Sequence, residues 1–300
     1  MRALYVARTP YHKYVTLNGH KFHYCDWGGK QQPVILLHGL ASTSRIWDFV
    51  APLLDNSLRV LAIDQRGHGM SDKPDHGYDF NNISKDLHRF IEELQLESPI
   101  IIGHSWGGSV ALEYSVLYPD IPLGLCFVDG GTIDISSRPN NTLEKARIEM
   151  APPDFSDIDV NSLIIRSKER FKKTNPDDTW NESLISNFDI NEDGTVRARL
   201  SRENHMKIIE AFWHHKPQQL YSSVVCPVLL LPARRNEIED FMIRRQRYRN
   251  SSVSIAANLL PFSKLIWFED TVHDVPLQKP LALANIINSH IRNGYFVKNR

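Results

Sequence analysis

The sequence predicts an α/β fold: a mainly parallel central sheet with flanking helices, carrying an inserted helical cap. Three observations point there. Short apolar runs ending in Gly or Asp recur along the chain, helix-period segments lie between several of them, and one long charged stretch breaks the alternation. With 300 residues, of which 42% are hydrophobic, the chain can bury one large core or a core that carries an insertion.

The first element is an antiparallel hairpin. In "YHKYVTLNGHKFHYCDWG" two alternating strands flank Asn18-Gly19, a dipeptide that accepts the positive φ angles of a two-residue turn. Six apolar runs follow: "PVILLHG" from Pro33, "RVLAIDQRGHG" from Arg59, "PIIIGHS" from Pro99, "LCFVDGG" from Leu125, "PVLLLPA" from Pro227 and "SKLIWFED" from Ser263. Runs without alternation suit strands covered on both faces. Between them, Asn82 to Leu96 places Ile83, Leu87, Phe90, Ile91 and Leu94 on one helical face. The last helix starts near Pro280 and repeats Leu283, Ile287 and Ile291.

Residues 133–225 are rich in charge, Asn, Asp and Pro and show no convincing buried strand, so they are expected to form the cap, with 1–132 and 226–300 as the core domain. Within the cap, Met206, Ile208, Ile209, Phe212 and Trp213 recur at helical spacing. Packing of cap on core accounts for them more simply than substrate contact.

Lys plus Arg and Asp plus Glu both number 35, and neither sign forms a long block. Nothing suggests a footprint for nucleic acid or an anionic membrane, so the expected partner is a small molecule. The start of the chain has no apolar signal region and no segment is an unbroken apolar span, which predicts a cytoplasmic protein. Cys25, Cys126 and Cys226 are dispersed in apolar contexts and read as buried thiols. No HExxH or CxxC pattern is present, so no metal and no cofactor are expected. His214-His215, His20 and His23 are assigned structural or solvent-facing roles.

The chemistry is concentrated in "IIGHSWGGSV". Gly103-His104-Ser105-Trp106-Gly107 is G-x-S-x-G, with a strand before it and the helical "VALEYSVLY" after it. That context defines a nucleophile elbow: a sharp strand-to-helix turn presents Ser105 at a helix N-terminus, and glycines leave room for the backbone to fold back. An oxyanion hole needs two backbone N–H groups. The residue after the nucleophile, Trp106, supplies one, and Leu40, after the His38-Gly39 turn, supplies the other. Among thirteen histidines, His273 follows the last strand and precedes the final helix, the position of a general base at a strand's C-terminal end.

Together "HGL", "DQRGHGMSD", "GHSWGG" and "VHDVP", in this order and spacing, resemble the α/β-hydrolase superfamily over essentially the whole chain. The resemblance implies that Asp64 to Asp72 form a structural turn beside the site and that the cap lies where this family inserts its lid. It also implies a triad acid. Family members most often carry one about nine residues into the segment that opens at Pro227, but that position is Asn236, so neighbouring Glu237 is one candidate. Some members, including haloalkane dehalogenases and some lipases, place the acid after the sixth strand, and there this chain has Asp129 in "CFVDGG". Asp129 is the favoured candidate, ahead of Glu237, Glu239 and Asp240.

The expected enzyme is a serine hydrolase that cleaves a small ester, with an apolar or aryl acyl group, through an acyl-enzyme on Ser105. Epoxide hydrolases and haloalkane dehalogenases of this fold use an Asp at the elbow, which disfavours their chemistries here. The alternatives are a carbon–carbon bond hydrolase, a lactonase or a proline-releasing aminopeptidase of the same fold, or a non-enzymatic ligand-binding or signalling member. The sequence leaves the oligomeric state open.

Overall fold

A computed structural model of the chain describes residues 8–171, 181–235 and 240–297. Its strands are β1 Tyr11–Leu17, β2 His20–Asp26, β3 Pro33–Leu37, β4 Arg59–Ile63, β5 Ile100–His104, β6 Gly124–Val128, β7 Phe188–Ile190, β8 Val196–Ala198, β9 Val228–Leu231, β10 Ala233–Arg234, β11 Ser263–Leu265 and β12 Phe268–Glu269. Its α-helices are α1 Phe80–Glu93, α2 Trp106–Leu117, α3 Leu143–Glu149, α4 Val160–Phe171, α5 Asn181–Ile185, α6 Arg202–His214, α7 Pro217–Leu220, α8 Asp240–Leu259, α9 Val275–Gln278 and α10 Pro280–Arg292.

Eight strands form one sheet in the order β1-β2-β4-β3-β5-β6-β9-β11. The β1–β2 hairpin and its junction with β4 are antiparallel, and every pairing from β4 to β11 is parallel. The hairpin turn is the expected one, with Asn18 at φ 51° and Gly19 at φ 81°. The unalternating apolar runs are explained by what covers them. Ile35, Leu37, Ile101, Leu125, Phe127 and Leu230 enter one core cluster, while Val34, Leu36, Ile102, Cys126, Val128 and Leu229 enter another. Successive side chains therefore alternate between two buried faces, and no polar residue is needed between them. All three cysteines are buried thiols.

The helix read from Asn82 starts slightly earlier, because the Asp79 side chain accepts the backbone N–H of Asn82 at 3.0 Å and caps the first turn at Phe80. The "SKLIWFED" run is divided: β11 ends at Leu265, and the chain then steps sideways so that β12 pairs with β10 in a separate two-stranded ribbon. Residues 133–225 carry α3 to α7, and also the short β7–β8 hairpin, which periodicity did not suggest. These residues pack onto the rest of the chain through Ile208 and Phe212, both in the larger core cluster, and through hydrogen bonds such as Tyr221 Oη to Gly131 O at 3.1 Å. No helix among the described residues is long and apolar enough to cross a membrane.

Candidate active site

Strands β5 and β6 are neighbours and both end at the same edge of the sheet, so the turns after them lie together. Ser105 follows β5 with φ 52° and ψ −118°, a strained backbone for a residue with a side chain. Its amide donates to Val128 O at 3.0 Å, which ties the elbow to the end of β6. The room for this turn comes from the flanking glycines. A Cβ on Gly107 would lie 2.5 Å from Leu37 O and 2.7 Å from His38 O, both rigid backbone atoms. Gly107→Ala is therefore expected to destabilise the fold by about 1–3 kcal/mol, as overpacking generally does. The midpoint of urea unfolding reads the effect, and an unchanged midpoint refutes it.

Asp129 follows β6 and Ser105 follows β5, while His273 comes from the segment between β12 and α9. The structure brings the three together. His273 Nε2 lies 2.8 Å from Ser105 Oγ, and His273 Nδ1 lies 2.5 Å from Asp129 Oδ2. A carboxylate only accepts, so Nδ1 carries the hydrogen and Nε2 presents its lone pair to the serine hydroxyl. Asp129 is itself held: its amide donates to Leu231 O at 3.0 Å, and its Oδ1 accepts the Ala233 amide at 3.0 Å.

Burial alone would raise the Asp129 pKa, but the hydrogen bond and charge of His273, the Arg249 charge and the Ala233 amide outweigh it and hold the carboxyl at about 2. Burial likewise opposes protonation of His273, yet the Asp129 hydrogen bond and charge, with Asp274 nearby, raise its pKa above the ordinary imidazole value.

Several partners of this trio were not evident from sequence. Arg249, on α8, places Nη2 2.5 Å and 2.6 Å from the two Asp129 oxygens. His104, the variable residue of G-x-S-x-G, donates from Nε2 to His273 O at 2.9 Å and so fixes the His273 loop against the elbow. Only the motif position of His104 was a signal. Arg249 had none, because it lies 120 residues from Asp129 in sequence.

The turn that carries Leu40 sits beside the elbow, since a Cβ on Gly39 would come 3.1 Å from Ser105 Cβ. Two buried histidines shape it. His38 accepts the Gln65 amide at Nε2 (3.0 Å) and donates from Nδ1 to Gly39 O (2.8 Å), while His68 accepts the Ala41 amide at Nε2 (3.2 Å) and donates from Nδ1 to Arg66 O (2.9 Å). Burial lowers both pKa values, so both rings act as neutral struts. Trp106 opens α2 with its side chain fully buried and its ring 5.2 Å from that of His68. The Asp64 to Asp72 turn is a hydrogen-bonded knot: Asp64 accepts the amides of Ser44 at 2.7 Å and Met70 at 2.9 Å.

Phe212 is buried edge-on to Phe80 at 5.6 Å, and Trp213 packs against the larger core cluster, so packing accounts for both. A cavity of about 690 Å³ lies elsewhere, lined by Tyr78, Phe80, Glu113, Ala211 and His215, with none of the trio in its wall. His215 is buried against Phe80 with Nδ1 3.3 Å from Glu113, while His214 is exposed. Asn236, Glu237 and Glu239 lie outside the described residues, as does the side chain of Asp240.

The fold and the elbow define a class, and comparison with known proteins gives the same one. Residues 32–210, more than half of the chain, match the family model described as alpha/beta hydrolase fold, and the chain belongs to that family. A bifunctional esterase/perhydrolase of Acinetobacter calcoaceticus is 23% identical over 297 residues, covering 93% of this chain and 98% of that protein. Epoxide hydrolase 1 of Caenorhabditis elegans is 33% identical over 112 residues, a match that covers 36% of this chain but only 28% of the relative. Among solved structures, E-2-(acetamidomethylene)succinate hydrolase superposes with a TM-score of 0.77 at 20% identity, covering 94% of this chain and 99% of that one.

Proposed function

We propose that this chain is a serine hydrolase that cleaves small carboxylic esters with apolar or aryl acyl groups through an acyl-enzyme on Ser105. The observation that carries the reading is the unbroken relay from Ser105 Oγ through His273 to Asp129, with both hydrogen bonds at 2.8 Å or less. His273 takes the Ser105 proton as the hydroxyl attacks the ester carbonyl, and the backbone N–H groups of Leu40 and Trp106 receive the oxyanion. The protonated His273, steadied by the Asp129 carboxylate, gives its proton to the departing alcohol. A water molecule, deprotonated by the same ring, then releases the acid. Residues 133–225 act as the cap over this site. The esterase relative, aligned over nearly its full length, supports the ester reading. The epoxide hydrolase match spans less than a third of that protein, and an elbow serine in place of an elbow aspartate argues against epoxide opening here.

The deciding experiment is hydrolysis of a panel of p-nitrophenyl esters, combined with fluorophosphonate labelling. Turnover with labelling at Ser105 is expected, whereas a chain that neither turns over esters nor takes the label is not a serine esterase. Because the base must be neutral, kcat/KM is expected to rise with pH through a limb above the ordinary imidazole value of 6.5. Arg249 faces Asp129 and opposes protonation of His273, so Arg249→Met is expected to move that limb to higher pH. A limb that stays in place or moves down would show that Arg249 does not tune the base.

A further inference from the structure

The edge hairpin carries a cluster that the proposed reaction does not use. In the β1–β2 register His12 lies directly opposite Cys25, and His23, two residues before Cys25, shares its face of the sheet. The ligand atoms of the three residues all lie within 4.8 Å of one another. His12 Nδ1 is 2.9 Å from His23 Nε2 and 3.7 Å from Cys25 Sγ. The two imidazole planes differ by only 19°, and a 2.9 Å contact is too close for overlapping faces, so the rings meet through their nitrogen edges.

One partner fixes the orientation. His23 Nδ1 lies 2.7 Å from Asp64 Oδ2, and a carboxylate can only accept, so the His23 lone pair is on Nε2 and points at His12. A carboxylate behind an imidazole whose other nitrogen faces further ligand atoms is the usual second layer of a metal-bound histidine. Asp64 is in turn immobilised by the amides of Ser44 and Met70. Tetrahedral zinc sites have N ligands about 2.0–2.1 Å and thiolate about 2.3 Å from the ion, which sets their ligand atoms ~3.3–3.7 Å apart. The Cys25–His12 separation already meets this spacing. The His12–His23 pair needs to open by a few tenths of an ångström, and His12 is exposed on an edge strand where it can swing, while the Cys25 and His23 ligand atoms, within 4.8 Å of each other, close by up to about 1 Å to reach the same spacing. The Arg45 guanidinium, whose charge reaches this corner, is paired with Asp48 and Glu182, which offset it in part.

We infer that His12, His23 and Cys25 form a site for one thiolate-tolerant divalent transition-metal ion of the Zn2+ class, with Asp64 orienting His23 and the fourth position open to water on the His12 side. The ion takes the place of the proton shared between the two rings. The His12 hydrogen moves to Nε2, and the Cys25 thiol proton is released to solvent as the metal–sulfur bond forms. The pattern has no sequence motif because His12 meets His23 and Cys25 across strands rather than along one.

The test is Co2+ titration of the chelator-stripped 300-residue chain. The expected result is saturation at one equivalent, with a thiolate-to-cobalt charge-transfer band and the intense visible bands of four-coordinate Co2+, all displaced by Zn2+. Cys25→Ser should abolish the charge-transfer band, and His12→Ala, an exposed change whose folding circular dichroism can verify, should weaken Co2+ binding by tenfold or more. Absence of saturable binding, or a band that survives Cys25→Ser, or equal affinity in His12→Ala, overturns the site. None of these readouts depends on esterase activity.

Discussion

Asp129→Asn is expected to lower kcat/KM for ester hydrolysis by about 10⁴-fold, the scale of the corresponding change in Ser-His-Asp triads. The reason is the hydrogen-bond inventory around the side chain. Asp129 Oδ1 accepts the Ala233 amide at 3.0 Å, so an Asn at this position keeps its carbonyl oxygen there and turns its NH2 toward His273 Nδ1. Nδ1 must then accept, and the ring hydrogen moves to Nε2. There it faces Ser105 Oγ as a donor instead of the acceptor that the attack requires. The loss should therefore fall on kcat with KM little changed. Far-ultraviolet circular dichroism checks that the fold is retained, and Glu237→Gln provides the contrast, with activity expected to stay within about twofold of the unmodified enzyme. If Glu237→Gln is the crippled variant and Asp129→Asn is not, the acid has been assigned to the wrong residue.

Ser105→Ala is expected to produce the larger loss, about 10⁴- to 10⁶-fold in kcat, together with complete loss of fluorophosphonate labelling. Alanine removes Oγ but keeps Cβ, so the strained backbone at φ 52° and the Val128 hydrogen bond persist and the fold should be preserved. What remains is the catalysis supplied by substrate binding and the oxyanion donors alone. Retention of labelling in this variant would place the nucleophile at another residue.

Most of the architecture was legible because burial imposes simple patterns. β3, β5, β6 and β9 are covered on both faces, so they appear as unbroken apolar runs, and the turns after β3 and β6 are marked by Gly or Asp. Ser105 was marked by glycines that the elbow needs for space, and His273 and Asp129 by their positions just after strands. What could not be read has a physical cause in each case. The helix Asp240–Leu259 has no sustained apolar face, since "RRQRYRNSS" occupies its middle, and it therefore went unrecognised together with the Arg249 contact it delivers. The step between β11 and β12 lies inside a run whose hydropathy does not change. His12 and Cys25 are thirteen positions apart, and only the register of the hairpin makes them neighbours.

The trio is unevenly distributed along the chain. Ser105 and Asp129 lie 24 residues apart by numbering, whereas the contact between His273 and Ser105 spans 168 positions. On the proposed mechanism this spacing has a consequence in time. As the chain leaves the ribosome, the nucleophile and the acid have both emerged once β6 is made, but the residue that makes the hydroxyl reactive follows only after β12. Before β9 has docked beside β6 and the His273 loop has reached the elbow, Ser105 is an ordinary alcohol. A nascent or truncated chain is thus protected from premature acylation, and chemical competence arrives only with completion of the sheet.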